Sequence, residues 1–190
     1  MNFIPNNKSK FKTNLDIYKK NKRPQIHSFH RYYGKLIPAI PAFFIDEFTS
    51  EGEIVGDLFS GSGTVAVESK IRNRNFVGVE INPLAHFISE VKTTKYDYDK
   101  LNIINDLIIK EIQNNKDNHG FDFGELPFCI NVDHWFKPNV QFELRVIRYS
   151  IDKVFNENSL ELNKDDFKTY RRFYYGILSS IIRLVSNSDP

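Results

Sequence analysis

Apolar and polar positions change their period several times along the chain, and each change marks an element. Glu53-Ile54-Val55-Gly56-Asp57-Leu58-Phe59 is short, apolar and bounded by turn residues, the pattern of a buried parallel strand. Ser60-Gly61-Ser62-Gly63 interrupts it with a tight turn, and residues 64–72 have helical composition. Asn75-Phe76-Val77-Gly78-Val79-Glu80 returns to strand and ends in a carboxylate. Ahead of this unit, residues 38–48 predict a short helix, with Pro41 suited to its first turn and Phe44 and Phe48 on one face. Behind it, Pro83 opens a helix that aligns Leu84, Phe87, Ile88 and Val91. Leu101, Ile104, Leu107, Ile108 and Ile112 keep helical spacing as far as a polar linker at 114–120. Residues 121–136 are irregular and aromatic. Pro138 then starts a helix carrying Val140, Leu144, Ile147, Ile151 and Val154, and a polar connection at 156–165 leads to a last helix over 166–185. Its expected inward face is Tyr170, Phe173, Tyr174, Ile177, Ile181 and Leu184.

Composition narrows the class. The 190 residues include 17 Phe and 9 Tyr, enough apolar material for a domain with a sizeable core. The net charge of +2 says little, but residues 1–26 hold Lys8, Lys10, Lys12, Lys19, Lys20, Lys22 and Arg23 against the single acid Asp16. This basic arm fits nucleic-acid phosphates or a solvated terminus equally well. Lys168, Arg171 and Arg172 lie in the first turns of the last helix, where the helix dipole disfavours cations; phosphate, an acidic partner or a solvated face each accommodates them. A lone cysteine, Cys129, excludes a disulfide framework and a cysteine-built zinc site, and no third ligand is spaced to join His27 and His30 on a metal. No apolar run has membrane length and no signal-peptide core follows Met1, so a soluble, cytoplasmic protein is expected.

The candidate chemistry lies at the strand–turn–helix–strand unit. A ligand of such a unit sits over the carboxyl ends of the strands, near the first helix N-terminus. Glu80 follows the glycines by about 20 residues, where a carboxylate can bond both hydroxyls of a ribose. An adenosine-containing cofactor is therefore expected. The loop Gly61-Ser62-Gly63-Thr64-Val65-Ala66 lacks the third glycine of a dinucleotide site and the lysine of a triphosphate loop.

Asp57-Leu58-Phe59-Ser60-Gly61-Ser62-Gly63-Thr64, followed by Glu68-Ser69 and then Gly78-Val79-Glu80-Ile81-Asn82-Pro83-Leu84-Ala85, closely resembles the S-adenosylmethionine-dependent DNA methyltransferase family acting on exocyclic amines of adenine or cytosine. The family's loop is usually D-P-F-x-G-S-G-T, and Leu58 replaces its proline. The resemblance implies that Asp57, Phe59, Ser60, Gly61, Ser62, Gly63 and Thr64 surround the methionine moiety, with Asp57 on the ammonium group. Glu80 would hold the ribose, with Ile81 beside it. A segment of the form H-x-Y-x-x-K-x-x-P precedes the loop in the family; here it is His30, Tyr32, Lys35 and Pro38, and Tyr32 to Lys35 would close over the methionine end. A lysine-threonine pair also recurs after the next helix, here in Lys92-Thr93-Thr94-Lys95.

The family holds the target amine with a D/N/S-P-P-Y/F/W tetrapeptide, because a lone pair delocalised into the base must be positioned by acceptors to attack. No complete copy occurs here, and Asp189-Pro190 follows a helix without the second proline. Only two parallel strands are expected, fewer than a covered sheet needs. The expectation is therefore an α/β fold with a partial Rossmann-like sheet and a largely helical C-terminal half. It is organised as a basic arm (1–26), a cofactor-binding β-α-β region with its rim (27–95), and a helical region for insertion, target or partner contact (96–190). By resemblance the chain is the cofactor-binding portion of a restriction-modification DNA methyltransferase, acting on a flipped base. It is expected to be inactive without a second polypeptide or a missing C-terminal half. The alternatives are a fragment of a transfer-RNA guanine methyltransferase, whose usual RNA-binding domain has no room before Phe29, and an inactive remnant binding S-adenosylmethionine or nucleic acid. A cytosine carbon-5 enzyme needs a Pro-Cys nucleophile, and Cys129 follows Phe128. The aromatics of 121–136, including Trp135, fit either core packing or an unstacked base.

Overall fold

The computed structural model describes residues 25–125, 131–156 and 162–187. Most of the basic arm, Cys129 and Asp189-Pro190 lie outside the described residues. The chain divides into two compact units, residues 1–94 and 95–190. Its architecture is mixed α/β and mostly helical, with one two-stranded parallel sheet among the described residues.

In the first unit a 3-10 turn at Gln25–Ser28 leads through an extended segment to α1 (Ala39–Phe48). Strand β1 (Ile54–Asp57), α2 (Thr64–Ile71) and β2 (Asn75–Gly78) form a β-α-β unit, and α3 (Pro83–Thr93) follows. The strands pair in parallel, Ile54 opposite Asn75 and Asp57 opposite Gly78. The ladder runs past both ends: Asn75 N donates to Glu53 O at 2.8 Å and Val79 N to Asp57 O at 2.9 Å. Helix α2 packs on α1, α3 and β2, so its buried residues, Thr64 and Ala66 to Ser69, fill the centre of the unit. Ala39, Ala42, Phe43, Ile45, Ala85, Ile88 and Val91 complete this core. Phe44 and Phe48 do share a face, but it is the outer one, where their rings stack 5.8 Å apart and stay exposed. Arg74 ties the end of α1 to the start of β2, its Nη2 donating to Thr49 O at 2.7 Å.

The second unit is helical: α4 (Tyr98–Asn115), the single turn α5 (Val132–Trp135), α6 (Pro138–Asn156) and α7 (Lys164–Val185). Asp97 caps α4 and Asn163 caps α7, each side-chain oxygen accepting from two backbone N–H groups. Ile104, Ile108, Leu144, Ile151, Val154, Phe155, Tyr170, Tyr174 and Leu178 form its core. Tyr174 donates to Leu101 O at 2.9 Å, and burial pushes its pKa up to about 12. The inward face of α7 differs from the sequence expectation: Leu178 is 9% exposed, Ile177 37% and Leu184 71%. The stripe through Tyr170, Tyr174 and Leu178 is the buried one; Phe173 and Ile181 of the expected face pack against that core while partly buried, and Ile177 and Leu184 are the exposed exceptions. Arg171 pairs with Asp152 at 2.7 Å and lies over the Tyr175 ring. Among the aromatics, Phe123 is buried against Phe142 and Tyr149, whereas Phe121 and Trp135 stay partly open.

Two pairs of substitutions separate these packing statements. Gly63 adopts φ 77°, and a Cβ there would lie 2.8 Å from Ser89 Cβ and 3.0 Å from its Cα. Gly61, at φ 51°, has only Phe59 O at 3.9 Å in that space. Gly61→Ala should therefore destabilise by the left-handed penalty alone, about 1–2 kcal/mol. Gly63→Ala adds overpacking of about 1–3 kcal/mol, and thermal melts followed by circular dichroism should rank it clearly lower. In the second unit, Leu178→Ala should destabilise by about 2–4 kcal/mol in urea unfolding, while Leu184→Ala stays within about 0.5 kcal/mol.

Candidate functional site

The turn between β1 and α2 is built from backbone bonds and two strand-end carboxylates. Asp57 Oδ1 accepts from Phe59 N at 3.0 Å, which turns the chain as soon as β1 ends. Ser60 N donates to Val79 O at 3.0 Å and Gly63 N to Ser60 O at 2.9 Å. Glu80, just past β2, accepts from Gly61 N through Oε2 and from Asn82 N through Oε1, each at 2.7 Å. Asn82 then caps α3 from beside it, accepting from Leu84 N at 2.9 Å with Pro83 at the first helical position. The predicted residues Asp57, Phe59, Ser60, Gly61, Ser62, Gly63, Thr64, Glu80 and Ile81 are thus brought to one end of the two strands. Phe59 and Ile81 are 91% and 96% exposed there, apolar surface at the mouth of the turn.

Beneath the turn, Lys92 of α3 is buried and its Nζ donates to Ser62 O at 2.7 Å. Burial, and secondarily the nearby Lys35 charge, lower the Lys92 pKa to about 8. No carboxylate among the described residues pairs with it. The Ser62 hydroxyl is buried without a hydrogen-bond partner among the described residues.

The preceding segment is fastened to α2 and to itself. Lys35 donates to His27 O at 3.0 Å and His30 O at 2.9 Å, which closes residues 27–35 on themselves; partial burial lowers its pKa. Tyr32 is half-buried and Gly34 makes the turn between them at φ 75°. A contact the sequence did not reveal fixes this segment: His27 Nε2 lies 2.5 Å from Glu68 Oε1 in α2, both side chains being buried. Glu68 Oε2 takes Arg72, whose Nε reaches Asp46 Oδ2 at 2.9 Å. The only hint of this was Glu68-Ser69 after the loop, since partners 41 residues apart leave no local pattern.

A separate cleft of about 490 Å³ runs beside β2 and α3, lined among others by Asn75, Phe76, Gly78, His86 and Ser89. Ser60 is the one predicted site residue on its wall, so this cleft is not the cradle formed at the strand ends. Among the described residues no group of histidine, cysteine or carboxylate side chains is placed to hold a metal, and no helix is long and apolar enough to cross a membrane.

Comparison with known proteins agrees with this geometry. Residues 5–91 match the model of a DNA methylase family. The chain is 31% identical over 180 residues to the type II methyltransferase M.MvaI of Kocuria varians, a match that covers 92% of this chain and 37% of that protein. It is 35% identical over 165 residues to the type II methyltransferase M.MjaII of Methanocaldococcus jannaschii, covering 83% of this chain and 30% of the relative. With M.BsoBI of Geobacillus stearothermophilus the identity is 33% over 89 residues. The chain therefore spans well under half the length of these curated relatives. No solved structure matches it. A glycine turn pinned between two strand-end carboxylates lies inside the region that matches the family model and recurs in type II methyltransferases, and residues 5–91 are thereby of the N6/N4 DNA methylase family.

Proposed function

We propose that residues 27–95 are the S-adenosylmethionine-binding part of a restriction-modification DNA methyltransferase acting on an exocyclic amine of adenine or cytosine. The observation that carries this reading is the fixation of Glu80. Each of its oxygens accepts one backbone N–H, from Gly61 or Asn82, and each keeps a second lone pair for a vicinal hydroxyl of a ribose. Asp57 is fixed the same way through Oδ1 and retains Oδ2 for an ammonium group. The buried, unpartnered Ser62 hydroxyl belongs to the same turn, as an orphaned polar atom that a ligand can satisfy. Left-handed backbone at Gly61 and Gly63 lets the turn close tightly, with open space where a Cβ of Gly61 would stand and Ser89 where one of Gly63 would. The residues present fit the cofactor.

When bound, S-adenosylmethionine supplies an electrophilic methyl group on sulfonium. This chain's part is to orient it: Glu80 and Ile81 at the nucleoside end, Asp57 and residues 59–64 around the methionine end, Tyr32 and Lys35 above it. Transfer to an amine also needs acceptors that hold the target base, flipped from DNA, in line with the methyl group. In this reading the chain is the cofactor-binding portion and is inactive alone. The sheet supports that. Ile54 and Val77 share the alternate positions of the paired strands, Leu58 and Val79 follow just past the strand ends, and the four are 68%, 60%, 72% and 56% exposed. Parallel sheets are stable with both faces covered, so an apolar face left open calls for further structure from a second polypeptide or additional chain. The absence of a D/N/S-P-P-Y tetrapeptide from these 190 residues is in keeping with this. The helical region 96–190 would contact target or partner, and a cytoplasmic location is part of the same proposal.

Calorimetry of the full chain should show S-adenosylmethionine binding, weakened about tenfold or more by Glu80→Ala, the loss expected for hydrogen bonds to a charged group. A chain that takes up no cofactor would end the cofactor reading. In a tritiated-methyl assay on DNA the chain alone should transfer nothing; incorporation without any partner would show that it is not merely a portion.

A further inference from the structure

We propose that His27 is a positioning residue: its buried hydrogen bond to Glu68 anchors residues 25–38 against α2 and thereby sets where Tyr32 and Lys35 stand over the cofactor cradle. This rests on the cofactor reading above and adds a residue that the glycine-loop motif does not contain.

The observations are local and mutually consistent. Among residues 25–38, His27 is the one buried side chain; the remainder of the segment is half-buried or exposed. Its partner is buried too, at 4% exposure against 8% for the imidazole, and the Nε2–Oε1 distance is 2.5 Å. Glu68 lies one turn beyond Thr64, so the helix that begins at the glycine turn also carries the anchor. The carboxylate cannot swing away from His27, because its other oxygen is held by Arg72, which Asp46 of α1 holds in turn. Lys35 then returns to His27 O and His30 O, fastening the far part of the segment to the residue that is anchored. At its other end the segment enters α1 directly, whose first residue, Ala39, is buried.

A surface segment fixed at both ends has less conformational freedom to lose when it closes on a ligand, so the anchor acts on affinity through preorganisation. The Lys35 charge is close enough to Lys92, which holds Ser62 O from below, to lower the Lys92 pKa. Displacing the segment would therefore move a charge that bears on the lysine holding the turn.

The test compares His27→Gln with His27→Asn in the full chain. Gln carries an amide N–H about as far from Cα as Nε2 and can still reach Glu68; Asn is one methylene too short. Asn should raise hydrogen exchange of residues 25–36 at least about tenfold, leaving α2 and the β1–β2 ladder unchanged. It should also weaken S-adenosylmethionine binding about tenfold in calorimetry, while Gln stays near wild type in both. Gln behaving like Asn, Gln failing to fold, or Asn matching wild type would each overturn the anchor. Were the wild-type chain to bind no S-adenosylmethionine, the cofactor reading would fall, and the exchange comparison would still decide whether His27 holds the segment.

Discussion

The bond from the Gly61 N–H to the Glu80 carboxylate is the constraint on which the first unit is arranged. A parallel pair needs its two strands to end in register although a helix separates them in sequence. Here the ladder continues beyond the strands, through Val79 N to Asp57 O and back through Ser60 N to Val79 O, and Glu80 closes it. The turn is thereby fastened to the neighbouring strand rather than only to its own helix. Without that carboxylate the Gly61 N–H would depend on water, in a turn whose glycines already lose the most backbone entropy on ordering.

Much of this was legible in the sequence because it is local. Short apolar runs bounded by glycine gave β1 and β2 to within two residues, and Pro83 after Asn82 marks a helix start that the cap confirms. The clustering of Asp57, the glycines and Glu80 followed from the same pattern. What the sequence hid is non-local or is a choice between equal patterns. In α7 the stripe through Leu178 and the one through Ile177 and Leu184 are both apolar, and only the packing of α4 and α6 selects the first. Phe44 and Phe48 share a face, as spacing requires, yet small Ala39 and Ala42 with Phe43 and Ile45 make the closer-packing side.

Charged residues were the hardest to place, for a physical reason. A lysine or histidine reads as surface by default, since burial of a charge is unfavourable unless it is paired. Lys92 and His27 break that default in different ways. His27 has a buried carboxylate as partner; Lys92 has only a backbone carbonyl, and its lowered pKa of about 8 records the difference. Both sit within one contact of the glycine turn or its helix. Residues that violate local expectation concentrate where a site is being shaped; here Lys92 holds the glycine turn itself and His27 the helix that follows it.

The glycine turn and the exposed apolar face belong to the same two strands, which links the cofactor binding proposed above to whatever covers that face. Fully burying one Ile, Leu or Val side chain contributes about 1.5–3 kcal/mol, and four such side chains lie open on this face. A single hydrogen bond at the cradle contributes about 1 kcal/mol net. Covering the face would therefore order β1 and β2 more strongly than any one contact made by the cofactor. Since Asp57 and Glu80 are the ends of those strands, the geometry of the carboxylates would be fixed chiefly from the sheet side. On this balance of magnitudes, a partner that completes the sheet would also sharpen the proposed cofactor site, and the two proposals come down to one packing problem.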